Sequence, residues 1–180
     1  MRSRSRRRFG ILALGTLAFG LDGGTQAAPS AVERRLELTN IHTGEVVSVT
    51  FRDADGLTTQ QLARLRHVLR DYRRDEEHEI DPALFVLLSD LAREAGCEPH
   101  YEVISGYRSP ATNAQLHAAG HGVAQHSLHM QGRAMDVRLK RCPLSRLREL
   151  ALAAKRGGVG YYARSNFVHL DTGAVRAWQE

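Results

Sequence analysis

The sequence predicts one α+β domain, and three observations support that fold class. Apolar and polar residues alternate over short stretches typical of strands, and other stretches carry apolar residues at helical spacing. Helix starts are marked by serine, threonine or aspartate caps, two of which precede a proline. The resulting order, ββααβαβαββ, places helices between short strands and favours an α+β fold over a doubly wound parallel sheet.

The amino-terminal half of the domain predicts a β-hairpin followed by two helices. Residues 35–39 and 45–51 alternate in polarity around a turn that contains Asn40 and Gly44, as in a hairpin. Thr58 is a good N-cap for the first helix, whose apolar residues recur at helical spacing: Leu62, Leu65, Val68 and Leu69. The second helix has clear signals at both ends: Asp81 and Pro82 at its start, Ala95 and Gly96 at its end.

The carboxy-terminal half continues with strands separated by helices. Ser109 and Pro110 repeat the cap-plus-proline signal and start a helix that runs to about Ala119. The other predicted elements are a strand at 101–105, a strand at 133–139, a helix at 145–155 and a glycine-led strand hairpin at 157–173.

Residues 1–27 have the architecture of an export signal and are set apart from a single domain at 28–180. Five arginines among the first eight residues precede an apolar run at 9–21, and a small-residue cleavage site ends at Ala27. The stretch SRRRF, residues 5–9, resembles the twin-arginine signature and predicts export to the periplasm. The apolar run is shorter than the roughly 20 residues of a membrane span, so an uncleaved anchor is the less favoured alternative.

The charge balance gives no support for a nucleic-acid partner once the signal is removed. Lys+Arg falls from 25 to 20 and Asp+Glu from 20 to 19, which leaves a net charge of +1. The basic surplus lies mostly in the signal, so the mature domain is not expected to bind nucleic acid through its charge. No stable membrane span is expected after signal cleavage.

Two cysteines, Cys97 and Cys142, remain in a domain expected in an oxidising compartment, where an even number favours a disulfide. Cys97 lies shortly before one predicted strand, and Cys142 lies shortly after another. If these strands pair antiparallel, both thiols lie near the same edge of the sheet. The alternative is two separate buried thiols.

The stretch SLHMQGRAMDVRL, residues 127–139, contains two ligand-type residues, His129 and Asp136. Its second half alternates so that Asp136 lies on the polar face of a strand. The same alternation in FVHLD places His169 and Asp171 on the face opposite the aliphatic residues. If the two strands are neighbours in suitable register, opposed β-carbons are about 4.5–5.5 Å apart. Asp136 and His169 could then share one small cation.

His129, on the loop that enters the first of these strands, can supply a third ligand. Two imidazoles and a carboxylate with an open fourth position form a catalytic zinc arrangement. A single histidine or aspartate on a strand is more often a surface hydrogen-bonding residue. The spacing alone therefore leaves both interpretations open.

Three stretches resemble, in order and spacing, the YcbK-like murein endopeptidases of the LAS group of zinc peptidases: ISGYRSPATNAQL, SLHMQGRAMDVRL and GGVGYYARSNFVHLDTG. The motif S-x-H-x-x-G-x-A-x-D of that group is matched by Ser127, His129, Gly132, Ala134 and Asp136. The resemblance covers about residues 51–178. It implies a hedgehog/DD-peptidase fold, in which a small antiparallel sheet with flanking helices carries the zinc site.

The resemblance also implies that His129, Asp136 and His169 bind zinc. The implied substrate is a peptide cross-link between the stems of peptidoglycan. Arg108 matches an arginine that in related peptidases helps to bind or polarise the scissile carbonyl, and a fixed guanidinium there stabilises a developing oxyanion. The structural alternative is that Arg108 only ties the start of its helix to a carboxylate.

The proton acceptor is less well defined than the metal ligands. Many relatives have a histidine or an acid two or three positions before the last ligand, where this chain has Phe167 and Asn166. Asp171 shares a strand face with His169 and is the candidate base, while its competing role is to orient the ligand imidazole. His126 is a second candidate.

Two other functions are compatible with the same residues. A carboxypeptidase would release a terminal amino acid from a peptide stem rather than open a cross-link. A non-catalytic module would keep zinc and bind peptidoglycan without turnover, an interpretation that the missing base keeps open. We expect an exported zinc metallopeptidase that acts as a peptidoglycan endopeptidase.

Overall fold

A single sheet of seven strands organises the part of the chain that the computed structural model describes, residues 33–52, 56–120 and 122–180. The strands are β1 (Glu33–Asn40), β2 (Val46–Arg52), β3 (His100–Ser105), β4 (Ala134–Leu139), β5 (Gly158–Tyr162), β6 (Phe167–Asp171) and β7 (Arg176–Gln179). Across the sheet their order is β2-β1-β3-β4-β6-β5-β7. The predicted export signal, residues 1–27, lies outside the described residues.

In the described part of the chain four α-helices connect the strands, and three of them start at the predicted caps. They are α1 (Thr59–Val68), α2 (Pro82–Ala95), α3 (Pro110–Ala118) and α4 (Leu144–Ala154). Thr58 and Gln61 form a reciprocal capping box at α1, and Asp81 and Ser109 accept backbone hydrogen bonds at the starts of α2 and α3. None of the described helices is both long and apolar enough to cross a membrane.

The sheet is larger than expected, and it is mixed. The expectation was a small antiparallel sheet, whereas the seven strands include two parallel pairs, β1 with β3 and β5 with β7. The sequence does not predict β7, because its four residues are mostly exposed and lack apolar alternation. Parallel pairs join strands that are distant in sequence, so no local pattern reveals them.

The apolar core lies on one face of the sheet, against α2 and α4. Helix α2 packs against β1 and β4, and α4 packs against β4, β5 and β6. Met135 and Val137 on β4, with Val168 and Leu170 on β6, are buried in this core. Each such side chain contributes about 1.5–3 kcal/mol through burial. Because side chains alternate along a strand, the residues between these four point to the opposite face.

Candidate metal centre

Asp136 and His169 are direct cross-strand partners near the middle of the sheet. Strands β4 and β6 pair antiparallel, and their register places Asp136 opposite His169. Both side chains lie on the face opposite the core, and both are buried. The two strands are therefore neighbours in the register that a shared cation requires, and their pairing brings the two side chains together.

His129 reaches the same place from a short 3-10 turn, Leu128–Gln131, just before β4. The Ser127 hydroxyl caps this turn by accepting a hydrogen bond from the His129 N–H. Gly132 ends the turn with φ of 64°, a left-handed conformation that favours glycine. A Cβ on Gly132 would lie only 1.9 Å from the carbonyl oxygen of Glu79. Ser127 and Gly132 of the motif therefore position the histidine.

Three ligand-type atoms converge at this point. Asp136 Oδ1 lies 2.9 Å from His169 Nδ1 and 3.3 Å from His129 Nε2. The two imidazole nitrogens are 3.3 Å apart. One ligand atom from each residue lies within 4.8 Å of the others, which is close enough for all three to bind one ion.

The second nitrogen of each imidazole is hydrogen-bonded, and this decides which nitrogen faces the centre. His129 Nδ1 lies 2.7 Å from the carbonyl oxygen of Gly106, and because a carbonyl only accepts, Nδ1 carries the proton. His169 Nε2 lies 3.0 Å from Asp171 Oδ2 and donates to it in the same way. The lone pairs of His129 Nε2 and His169 Nδ1 are then directed towards the Asp136 carboxylate. This donor set fits a small divalent cation.

The pKa shifts of His169 and Asp136 also show that the centre stabilises a positive charge between these side chains. Burial disfavours the imidazolium form of His169, but hydrogen bonds to Asp136 and Asp171 outweigh it and raise the pKa of His169 to about 9. Burial also opposes ionisation of Asp136, yet the charges and hydrogen bonds of His129 and His169 hold the pKa of that carboxyl well below its usual range. A proton and a metal ion therefore compete for the same lone pair of His169.

Asp171 is fully buried, and its carboxylate accepts hydrogen bonds on both oxygens. Oδ1 accepts the backbone N–H groups of Gly158 and Gly173, and Oδ2 accepts from His169 and from Arg176 at 2.6 Å. Although burial acts in the opposite direction, these bonds hold the pKa of Asp171 well below its usual range. Asp171 contacts the side of the imidazole that faces away from the centre. The geometry therefore favours its orienting role over that of a base.

Arg108 enters the centre from the loop between β3 and α3. Its Nη2 lies 3.7 Å from Asp136 Oδ2 and donates to Ser105 Oγ at 3.2 Å. Its Nη1 donates to Asn113 Oδ1 at 3.4 Å, and the side chain is buried. Arg108 Nε has no hydrogen-bond partner among the described residues. A buried guanidinium is thus held beside the carboxylate of the candidate ligand Asp136, and it lines the cavity around the centre.

A cavity of about 450 Å³ contains the centre. Part of its lining comes from the segment 122–128, which includes His126. Another part comes from β5, β6 and the carboxy-terminal segment: Tyr162, Phe167, Arg176, Trp178 and Glu180. The cavity is large enough for part of a peptide substrate.

Sequence reasoning missed Tyr162, Trp178 and Glu180 as cavity residues. For Tyr162 a signal exists, because it shares a strand face with Gly160, and Gly160 pairs with His169. No comparable signal exists for Trp178 and Glu180, since their placement depends on the pairing of β7 with β5.

The match to known proteins agrees with this geometry. A family model described as peptidoglycan L,D-endopeptidase MepK matches residues 28–178. The chain belongs to this family. The resemblance to YcbK-like murein endopeptidases is thereby confirmed.

Individual members of the MepK family are similar over nearly their whole length. Peptidoglycan L,D-endopeptidase MepK of Escherichia coli (strain K12) is 45% identical over 172 residues, which cover 93% of this chain and 94% of the relative. The protein of the same name from Shigella flexneri has the same identity and coverage. The probable peptidoglycan L,D-endopeptidase MepK of Haemophilus influenzae (strain ATCC 51907 / DSM 11121 / KW20 / Rd) is 39% identical over 173 residues, 93% of each chain.

Proposed function

We propose that the protein is an exported, zinc-dependent peptidoglycan endopeptidase that hydrolyses peptide cross-links between stems. The observation that carries this proposal is the buried convergence of His129, Asp136 and His169 in a cavity of a MepK-family chain. Two imidazole nitrogens and a carboxylate are ligands that zinc accepts, and three protein ligands leave a coordination position free for chemistry. Membership of a peptidase family makes the catalytic use of such a site the best-supported function.

The name shared by the relatives favours one of two cross-links. Peptidoglycan stems are joined either from D-alanine to diaminopimelate or between two diaminopimelates. An L,D-endopeptidase breaks a bond from the carbonyl of an L centre to the amine of a D centre, which excludes D-alanine on the carbonyl side. The proposed substrate is therefore the cross-link between two diaminopimelates.

In the proposed site the groups behind the ligands keep both imidazoles ready to bind. His129, Asp136 and His169 would hold zinc, which would supply Lewis acidity that polarises a carbonyl and increases the acidity of water. The Gly106 carbonyl accepts a hydrogen bond from the His129 ring, and the Asp171 carboxylate accepts one from the His169 ring. Neither histidine then has to change its tautomer or its orientation during turnover.

Arg108 supplies a fixed positive charge beside the reacting carbonyl. When water adds to the carbonyl carbon, the π electrons move to the carbonyl oxygen, and that oxygen becomes an oxyanion. The guanidinium lies 3.7 Å from Asp136 and lines the cavity, so its positive charge is placed to stabilise this oxyanion. The contact with Asp136 also fits the structural alternative, in which Arg108 ties the start of its helix to a carboxylate. One side chain can hold the helix start and stabilise the oxyanion.

The proton of the attacking water goes to an acceptor other than Asp171, whose carboxylate is fully engaged. Of the described cavity residues other than the three proposed ligands, His126 and Glu180 carry the imidazole and the carboxylate that could serve as general base. Replacing the one that acts, by His126→Ala or Glu180→Gln, should remove the acidic limb of the kcat–pH profile. An unchanged limb in both variants would exclude both residues.

Residues 1–27 are proposed to direct export to the periplasm and to be removed there, which leaves 28–180 as one peptidase domain. The arginine cluster, the apolar run and the small-residue cleavage site support this assignment. The proposed substrate supports it independently, because peptidoglycan lies outside the cytoplasmic membrane.

Digestion of cross-linked muropeptides tests the proposed function directly. Purified protein should convert dimers joined through two diaminopimelates into monomers, as measured by chromatography with mass analysis. Release of a free amino acid would indicate a carboxypeptidase instead. Binding to sacculi without any change in the muropeptides would indicate a non-catalytic module.

The metal requirement is tested in the same digest. A chelator should abolish turnover, and added zinc should restore it. His129→Ala should stay inactive after zinc is added, because a ligand is missing. Full hydrolysis by the chelated protein would overturn the zinc mechanism.

A further inference from the structure

Tyr162 lies at the end of β5, on the face that carries the metal centre. Its cross-strand neighbour is Phe167, and the two rings stack with centroids 4.5 Å apart. Two residues earlier on β5, Gly160 pairs with the ligand His169. The Tyr162 side chain lines the cavity that contains the three ligands. Tyr162 is therefore held beside the centre by packing on its ring.

Trp178 fixes how the Tyr162 hydroxyl is used. The indole occupies the space above Gly160, where a Cβ would lie 2.6 Å from the ring. Its Nε1 lies 2.9 Å from the Tyr162 oxygen. An indole N–H can only donate, so the Tyr162 oxygen accepts this bond and its own proton remains available. Within the described residues no protein acceptor takes that proton.

The surroundings keep this hydroxyl protonated. Burial raises the pKa of Tyr162, and it outweighs the hydrogen bond from Trp178, which lowers the pKa. The negative charges of Asp136 and Glu180 raise the pKa further, while the positive charge of Arg108 opposes them. At neutral pH the side chain is a neutral donor. The side chain that carries this donor lines the cavity in which the proposed peptide hydrolysis develops negative charge.

We propose that Tyr162 is a catalytic residue whose hydroxyl donates a hydrogen bond to the oxyanion of the tetrahedral intermediate; this rests on the proposed peptidase function. An O–H bond of water breaks and its proton passes to the base, His126 or Glu180, while the water oxygen bonds to the carbonyl carbon and the carbonyl π pair moves to the carbonyl oxygen. Tyr162 and Arg108 stabilise that oxygen from the protein without transferring a proton. Trp178 is a positioning residue that acts through Tyr162.

Tyr162→Phe in the full-length, zinc-loaded protein tests this role. The ring and its stacking on Phe167 remain, so zinc content and Tm should match the wild type. The kcat on muropeptide dimers should fall about 100- to 1000-fold, with KM within about threefold, as for loss of one oxyanion donor. A phosphinate analogue of the cross-link should bind more weakly by a similar factor, which calorimetry measures without turnover.

Tyr161→Phe is the matched control, because Tyr161 lies on the other strand face, where the Arg148 guanidinium is 4.8 Å from its ring. Its kcat should equal that of the wild type. Trp178→Phe keeps a ring and removes the donor, so kcat should fall less than in Tyr162→Phe, and the double variant should be no worse than Tyr162→Phe alone.

Three results would overturn the assignment of Tyr162. They are a kcat for Tyr162→Phe within about threefold of the wild type, a loss confined to KM, or a loss that accompanies a fall in zinc content or Tm. An active wild type with an equally active variant would overturn this inference alone. An inactive wild type would overturn the proposed function and the inference with it.

Discussion

At the scale of residues, a row of side chains with alternating charge orients the proposed metal ligand His169. Arg176 donates to Asp171 with both Nη atoms, Asp171 accepts from His169 Nε2, and His169 Nδ1 faces Asp136. Each carboxylate thus has a positive or proton-donating neighbour, which offsets the cost of burying it. The arrangement makes the His169 ring more basic and more firmly oriented than an isolated histidine.

Metal-free protein should lose stability as the pH rises from about 6.5 to about 9. The pKa of His169 is 6.5 without the fold and about 9 within it, so folding favours the protonated ring. This contribution is fully present below pH 6.5 and is lost as the pH passes through 9. It amounts to at most about 3 kcal/mol. Urea unfolding of chelator-treated protein at both ends of this range measures it.

The control for this pH effect is His169→Asn, which should abolish the difference between the two ends of the range. Equal stability of the chelator-treated wild type at both ends would contradict the prediction. In the unmodified protein, zinc should bind with release of about one proton below pH 9, because metal and proton compete for His169 Nδ1. Calorimetry in buffers of different ionisation enthalpy reports that proton.

Gly132→Ala should destabilise the protein and weaken metal binding together. Its left-handed φ costs an alanine about 1 kcal/mol, and the added Cβ would meet the Glu79 carbonyl at 1.9 Å. The turn that carries His129 must shift to relieve this contact, so we expect a total loss above about 2 kcal/mol. Thermal unfolding and zinc titration measure the two effects.

Gly120→Ala is the matched control for Gly132→Ala. Gly120 also has a left-handed φ, of 74°, but no atom lies within 4 Å of an added Cβ. The Gly120→Ala variant should lose only the stability that the left-handed φ costs an alanine, about 1 kcal/mol, and it should keep its zinc affinity. Equal effects of the two substitutions would show that the Glu79 contact is unimportant.

At the scale of elements, the helix starts and the strand ends together position the site. The Asp71 carboxylate, on the turn after α1, accepts the N–H and O–H of Ser109 at 3.0 and 2.7 Å. Ser109 caps α3, and Arg108 directly precedes it. The guanidinium near the centre is thus tied to two helices by a buried capping network. A change at Asp71 acts on the site through this network rather than through substrate.

The pairing of β3 with β4 brings Cys97 and Cys142 together. Tyr101 is opposite Leu139, and the Lys140 N–H donates to the His100 carbonyl, so the segments beyond both strands run side by side. Burial and a hydrogen bond to Cys97 raise the pKa of Cys142 to about 11. Both are free thiols in this structure.

We expect glutathione disulfide to oxidise this pair to an intramolecular disulfide. Each thiol loses one electron and one proton, and the oxidant is reduced to two glutathione thiols. The bond would close a long loop and stabilise the protein by about 3–4 kcal/mol. Mass analysis of alkylated protein should show no free thiol after oxidation, and Tm should rise. A Cys97→Ser variant should show neither effect, and two free thiols in the oxidised wild type would refute the disulfide.

At the scale of the whole molecule, the apolar core and the proposed active site lie on opposite faces of the sheet. One face packs against α2 and α4 and forms the core, while the other face of β4, β5 and β6 carries candidate ligands and lines the cavity. Asp136 and His169, with the Asp171 carboxylate that accepts a hydrogen bond from His169, lie on this second face. Substitutions in the core should therefore change Tm more than metal affinity.

Export of the whole chain should depend on the arginine pair in SRRRF. Replacing Arg6 and Arg7 together by lysine should retain the unprocessed protein in the cytoplasm, because the twin-arginine signature is read by a receptor rather than by charge alone. Replacing Arg2 and Arg4 by lysine keeps the same charge and should leave export unchanged. Cell fractionation with detection of the processed form measures both, and equal export of the two variants would exclude the twin-arginine route.

Local sequence signals alone determined most of the helices and strands, and they determined the strand faces of Asp136 and His169. The caps and stops of α2 and α3 lie within a few residues of the turns they control, so Asp81, Gly96 and Ser109 are readable from the sequence. Strand alternation likewise placed Asp136 and His169 on polar faces, because that period depends only on neighbouring residues. Family resemblance, rather than spacing, made the metal interpretation specific.

Only the tertiary structure decided which distant groups meet. The register of β4 against β6, the contact of Trp178 with Tyr162 and the hydrogen bonds that engage Asp171 join segments that no local pattern relates. Strand β7 and the two parallel pairs escaped prediction for the same reason. Sequence periodicity reports the face on which a side chain lies, whereas its partner depends on packing of the whole chain.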